Sequence, residues 1–221
     1  MTANQKITPH LWFDTEAKPA AGFYTSVFSD SRIKRTVQLH NTPSGSVDLL
    51  TVELLGQEFS LISAGPYFKI NPSLSFLVAC TSKTEVDVLW ARFSQGGKAL
   101  MELGEYPFSA RYGWVQDKYG VSWQLMFMGD RPSRQRITPT LMFTGKVSGQ
   151  AEEALGFYTS VFPNSHLGEI SRYNEGEQPD PAGTIRHASF TLAGQEFAAM
   201  DSAREHSFGF NEAVSLIIHC D

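Results

Sequence analysis

The sequence is short of cysteine: only Cys80 and Cys220 occur in 221 residues, so no disulfide framework holds this fold together. It has no run of about 18 apolar residues, the length a membrane-crossing helix needs. The opening MTANQKITPH lacks the apolar centre of a secretory leader, so a cytoplasmic location is the default expectation. Basic residues are outnumbered, with 18 Lys and Arg against 23 Asp and Glu and a net charge of −5. Their one short cluster, RPSRQR at Arg131–Arg136, reads as a solvated linker. A nucleic-acid partner is not expected, because phosphate binding needs a basic face. The 42% hydrophobic and 19% charged content is that of a soluble globular chain.

What the chain does have is repetition. ITPHLWF from Ile7 returns as ITPTLMF from Ile137, FYTSVF at Phe23–Phe28 returns at Phe157–Phe162, and GQEF at Gly56–Phe59 returns at Gly194–Phe197. SLSFLVAC, with Ser75, matches VSLIIHC, with Ser215, and the spacing lengthens from 130 to 140 residues along the way. The extra residues fall in polar, Gly- and Pro-rich stretches such as GKVSGQAEEA and NEGEQPDPAG, as loop insertions do. A period this long means duplicated domains rather than a solenoid. Cys80 and Cys220 occupy equivalent places, each closing an apolar run, and two buried free thiols are expected. A catalytic thiol is the sharper reading, but His219 beside Cys220 would point to the opposite face of a strand.

Periodicity supplies the elements. ITPHLWF is a strand, EAKPAAGFYTSVF carries its apolar residues at helical spacing, and RIKRTVQLH, SVDLLTVELL and EFSLISAG are three more strands. The order βαβββ recurs in SLSFLVAC, the helix TEVDVLWARFSQ stopped by Gly96 and Gly97, and strands around KALMELGEY, YGWVQDK and GVSWQLMFM. The expected fold is α+β, with tandem βαβββ modules forming cup-shaped mixed sheets and helices outside. Residues 1–129 read as a complete domain of two modules, 130–136 as a linker, and 137–221 as a partial second domain of one module plus the first strand of the next. Such a half-domain reads either as a piece of a longer protein or as a homodimer joined through residues 137–221.

ITPHLWFD followed by GFYTSVF, the GQEF turn, FKINPSLSFLVAC and RYGWVQDKYGVSWQL together resemble the PhnB-like branch of the vicinal-oxygen-chelate superfamily. That superfamily also holds glyoxalase I and the bleomycin-resistance proteins. Members of the branch are often labelled 3-demethylubiquinone-9 3-methyltransferases. The sequence shows no Gly-rich loop after a strand with an acidic residue beyond it, the unit a methyl donor usually requires. The resemblance implies a concave sheet face that holds a small ligand and, in metal-dependent relatives, a divalent ion on four positions. Those positions fall here at His10, about Leu61, about Ser75 and Gln124. Only His10 and Gln124 are plausible ligands among them, so no metal or other cofactor is expected.

His10 is the residue that changes between the copies, being Thr140 in the second. It reads either as a satisfied cavity histidine or as a proton acceptor and ligand anchor, and it is the catalytic candidate because imidazole is the side chain most readily tuned to neutral pH. Strand alternation puts Trp12 on the face of His10 and places Leu11 and Phe13 opposite. The same alternation puts Ser122, Gln124 and Met126 inward and Trp123 toward the helices. The candidate ligand-binding set is His10, Trp12, Ser75, Glu102, Trp114, Gln124 and Met126. Glu102 and Trp114 also read as a solvated edge residue and a core-closing indole.

Three functions stay open: a small-molecule binder or metal-free enzyme on an oxygenated substrate, a metal-dependent glyoxalase-type lyase or isomerase, and a sequestering protein with an apolar cup. An interaction module with a collapsed cup is a fourth. The ligand positions predict that the purified protein carries no transition-metal ion held by two or more protein ligands in the first cup. Stoichiometric zinc, nickel, manganese or iron that is lost on His10→Ala would contradict this.

Overall fold

Ile7–Phe13 forms strand β1 because its apolar residues alternate: Ile7, Leu11 and Phe13 are buried on one face, while His10 and Trp12 are half-buried on the other. The computed structural model describes residues 5–131 and 134–220. Residues 1–4, 132, 133 and 221 lie outside the described residues, and so does part of the expected linker at 130–136. After β1 come helix α1 (Ala17–Val27) and strands β2 (Arg32–Thr42), β3 (Gly45–Leu54) and β4 (Gln57–Ser63). The second run is β5 (Leu74–Cys80), α2 (Lys83–Phe93), β6 (Lys98–Tyr106), β7 (Ser109–Gln116) and β8 (Ser122–Phe127). The third is β9 (Ile137–Thr144), α3 (Ala151–Val161), β10 (His166–Arg172), β11 (Ile185–Leu192) and β12 (Gln195–Ser202), and β13 (Val214–Ile218) follows. The βαβββ order is therefore present three times, in an α+β fold of mixed sheets.

The chain divides into two compact units. The first gathers residues up to Ile70, Leu77–Ile137 and the segment from Asn211 onward. The second gathers Asn71–Phe76 and Thr138–Phe210. In the first unit one sheet has the order β13-β1-β4-β3-β2, with β1 and β4 parallel and the other pairs antiparallel. The strand beside β1 thus comes from the far end of the chain. Strands β6, β7 and β8 form an antiparallel meander in the same unit. The second unit repeats the module order as β10-β11-β12-β9, with β12 and β9 parallel.

Tight turns set the register. Leu55 and Gly56 both have positive φ, as a two-residue hairpin loop between twisted strands requires, and Ala193 and Gly194 do the same in the second copy. The first-unit core lies where α1 and α2 meet β8. Trp123 is fully buried, stacked on Phe93 at a centroid distance of 5.0 Å, with Tyr24 at 5.4 Å and Phe28 at 5.3 Å. Its indole N–H donates to Asp117 Oδ2 at 2.9 Å. Asp117 Oδ1 accepts from the backbone N–H groups of Tyr119 and Val121, so one buried carboxylate ties the turn to the core. Burial pushes the Asp117 carboxyl up, and those hydrogen bonds act against that rise. The Tyr24 hydroxyl, buried without a hydrogen bond of normal geometry, is held well above its usual range by burial first and the Asp117 charge second. Gly113 is required by contact: a Cβ there would lie 2.6 Å from the Trp90 ring.

The expectation of two buried thiols needs correction. Cys80 is buried, and burial followed by the nearby Glu85 charge pushes its thiol up to about 12; Cys220 is exposed. The cause lies in the neighbours, because β5 is covered along its length whereas Ile218, just before Cys220, is 50% exposed. No helix among the described residues is long and apolar enough to cross a membrane. Trp123 lies on the helix side, as alternation required, so Trp123→Ala is expected to cost about 3–5 kcal/mol in denaturant unfolding. A loss below about 1 kcal/mol would contradict this packing.

Candidate functional site

The ladder around β1 builds the site. Across the parallel pair His10 is opposite Ser60 and Trp12 opposite Ile62, and the antiparallel β3 adds Thr51 beside Ser60 and Leu49 beside Ile62. Paired residues share a face, so His10, Ser60 and Thr51 form a polar row with Trp12, Ile62 and Leu49 as an apolar row next to it. On the other side β13 sets Ser215 opposite His10, and Ser215 Oγ lies 3.3 Å from His10 Nδ1. Either atom can be the donor, depending on the histidine tautomer.

Each member of the group is held. The Trp12 indole N–H donates to the Gly65 carbonyl at 2.8 Å, and its ring meets Phe68 edge-on at 5.1 Å. The neighbouring Thr8 hydroxyl is 3.0 Å from His219 Nε2. Gln5 donates to the Ile7 and Glu58 carbonyls and accepts from the Glu58 N–H, which anchors the start of β1 to β4. Lys34 bridges Glu53 and Glu58, and Arg32 reaches Glu53 at 2.8 Å. Burial lowers the His10 imidazole below its ordinary value, so it is neutral at pH 7 with one nitrogen free to accept a proton.

The other expected residues fall into separate groups. Trp114 lies opposite Gln124 and Met101 in the meander, and its indole N–H donates to Ser122 Oγ at 2.7 Å. Gln124 is buried and its Oε1 accepts from the Tyr112 hydroxyl at 2.8 Å, so its polarity is engaged within the protein. Met126, half-buried, pairs with Tyr112. Glu102 is exposed on the outer strand β6, where Met101 rather than Glu102 has Trp114 as its partner. Ser75 is buried in the short segment that belongs to the second unit. His10 and Trp12 are thus together on one sheet, and Trp114, Gln124 and Met126 on another. The position taken as Leu61 turns inward, fully buried, and Ser60 stands beside His10. A cavity of about 360 Å³ opens elsewhere in the first unit, lined by Lys69, Lys98, Gln116, Lys118 and Tyr119, and none of the expected residues lines it.

Two implied groups do not fit these residues. A divalent ion at His10 would find the hydroxyls of Ser60 and Ser215, and among the described residues no three His, Cys, Asp or Glu side chains converge. A methyl donor with a charged tail needs a helix N-terminus or an open Gly-rich loop. Those N-termini are filled from within: Ser63 accepts from the Ala17 N–H, Ser82 from Glu85, and Asp201 from Gly149 and Ala151.

The profile of the family described as 3-demethylubiquinone-9 3-methyltransferase matches residues 5–126 and 135–221. No curated protein matches the chain. Among solved structures, the PhnB protein from Bacillus cereus, described as a 3-demethylubiquinone-9 3-methyltransferase, is 41% identical with a TM-score of 0.52. That match covers 56% of this chain and 99% of the Bacillus chain. Glyoxalase I from Zea mays is 15% identical with a TM-score of 0.58, over 91% of this chain and 71% of the maize chain, a likeness of fold alone.

A base buried in neutral form gains stability as pH rises through its depressed folded value toward the unfolded one, and that stability is lost on acidification below about 6.5. The His10 ring is therefore expected to titrate below 6.5 by NMR, and His10→Gln to reduce the loss of stability on acidification below that pH. A midpoint at or above 6.5 would contradict the burial assigned to it.

Proposed function

The chain belongs to the 3-demethylubiquinone-9 3-methyltransferase family, PhnB-like, with the fold of the vicinal-oxygen-chelate superfamily, and we propose that it is a cytoplasmic protein that binds a small oxygenated molecule on the β1–β4 face. The observation that carries this reading is a half-buried His10, its imidazole held below its ordinary value by burial, with Ser215 Oγ 3.3 Å from its Nδ1, Ser60 opposite it in the ladder and a pinned Trp12 indole beside it. A neutral imidazole accepts a hydrogen bond or a proton from a ligand hydroxyl. Serine hydroxyls both donate and accept, so they can orient an oxygen next to it. Trp12, Ile62 and Leu49 supply the apolar surface that makes burial of the ligand carbon skeleton favourable.

If the bound molecule is transformed, His10 is the acid–base group, and the step is a proton transfer from a hydroxyl or an activated C–H, assisted by the serines. Glyoxalase-type chemistry through a metal-bound enediolate is disfavoured by the ligand set, and methyl transfer by the filled helix ends. A sequestering binder uses the same face without turnover.

A thermal-shift screen of diols, hydroxy acids and phenols, with and without divalent ions, tests this reading. Hits are expected to raise the Tm equally in EDTA and in magnesium, since a ligand selective for the native state stabilises it by mass action. His10→Ala or Trp12→Ala is expected to weaken such hits about tenfold or more, the effect of losing one well-placed contact. Hits that need a divalent ion, or that survive both substitutions, would overturn it.

A further inference from the structure

Lys69 follows β4, Lys98 opens β6 and Lys118 lies in the turn between β7 and β8, yet all three line the cavity of about 360 Å³ in the first unit. Every residue of that lining belongs to the first unit. Among the described residues, none of these three ammonium groups has a carboxylate at ion-pair distance, whereas Lys18, Arg32, Lys34, Arg111 and Arg136 of the same unit each have one. The carboxylate in the lining, Asp117, is committed inward: Oδ2 accepts from the Trp123 indole and Oδ1 from the Tyr119 and Val121 N–H groups. The C-terminal end of α2 runs into Gly96 and Gly97 on the cavity wall and brings about half a negative charge, too little to balance three ammonium groups. The chain as a whole is acidic, so this local positive excess stands against its net charge of −5.

The backbone that carries the lysines is braced. Gln116 is the cross-strand partner of Lys98, and its side-chain N–H donates to the Gly120 carbonyl at 3.0 Å, which closes the turn holding Lys118. Asn211 Nδ2 donates to the Lys69 carbonyl at 2.9 Å. Lys118 Nζ lies 4.6 Å from the centroid of the Phe23 ring and 5.1 Å from that of Tyr119. Ring faces hold an ammonium in place without cancelling its charge. A Cβ at Gly97 would lie 2.5 Å from the Gln116 and Phe93 carbonyl oxygens, so this part of the wall is bare backbone. Ile70 and the Tyr119 ring add an apolar stretch to the same lining.

We propose that this cavity binds a phosphoryl group, carried by a small molecule or as the free ion, through Lys69, Lys98 and Lys118. A tetrahedral dianion accepts from three separate donors, and each lysine is a point charge with three rotatable N–H groups. A planar carboxylate is matched instead by the fixed fork of arginine, and no arginine lines the cavity. A volume of about 360 Å³ lies within the range of small-ligand sites, so a phosphoryl group leaves room for an organic part against Tyr119 and Ile70. The site shares no residue with the β1–β4 face, so it stands or falls independently of His10.

The test titrates the full chain with inorganic phosphate and with phenyl phosphate at constant ionic strength, read by amide chemical shifts. Saturable binding with a Kd of about 1 mM or tighter is expected, with the perturbed amides at Gly96–Lys98 and Gln116–Gly120. Lys98→Gln and Lys118→Gln are each expected to weaken it about fivefold or more, because each removes one charge-assisted contact. Both variants are expected to keep the parent Tm without phosphate, since neither lysine has an ion pair to lose. Lys83→Gln, at the opposite end of α2, and His10→Ala are expected to leave phosphate binding unchanged. Tighter binding of phenyl phosphate than of phosphate would assign the site to an ester, and equal binding to the free ion. The proposal is overturned by the absence of saturable binding at about 10 mM of either probe. Binding that survives both Lys98→Gln and Lys118→Gln, or that Lys83→Gln weakens equally, overturns it too, because the anion would then be held by general surface charge.

Discussion

The ladder between β1 and β4 is the constraint on which the candidate site depends. Leu11 and Leu61 sit opposite each other and fully buried beneath α1, and that pairing commits every neighbouring residue to a face. A slip of β1 by one residue would drive His10 into the core and expose Leu11 and Phe13. The exposed pair would cost about 3–6 kcal/mol at roughly 1.5–3 kcal/mol for each large apolar side chain, and a buried histidine without partners would add to it. The turn at Leu55–Gly56 reinforces the same register from the other end of β4, because Leu54 must then meet Gln57 and Thr51 must meet Ser60.

The site inherits its chemistry from that register. Burial keeps His10 neutral, and the two hydroxyls beside it donate and accept but offer no charge. Among the charged residues of this sheet, Arg32, Lys34, Glu53 and Glu58 pair with one another and Asp48 pairs with Lys18, none of them with His10. A neutral, partly apolar face of this kind discriminates by hydrogen-bond geometry and shape, not by charge. It suits a small oxygenated molecule better than a phosphate or a metal ion.

Much of this was legible in the sequence where a local rule applied. The repeat was visible in FYTSVF and GQEF, and the βαβββ order followed from periodicity. Alternation placed Trp12 with His10 and sent Trp123 to the helices, where the Phe93 stack and the Asp117 hydrogen bond hold it. Of the two residues at the position expected at about Leu61, Leu61 faces the core and Ser60 pairs with His10. Ser215 was beyond local reasoning. The first strands of the modules are similar edges, and nothing in β1 says whether its partner lies nearby or 205 residues along the chain. The engagement of Gln124 by Tyr112 was likewise invisible, because it depends on a cross-strand neighbour that composition does not reveal.

The claim at the centre of this account is that ligands meet the protein on the β1–β4 face. An amide chemical-shift map with any small oxygenated molecule that binds would test it most directly. The account predicts that the perturbed amides cluster at Thr8, His10, Trp12, Thr51, Ser60 and Ser215. Perturbations centred instead on Trp114, Gln124 and Met126, with β1 unaffected, would contradict it.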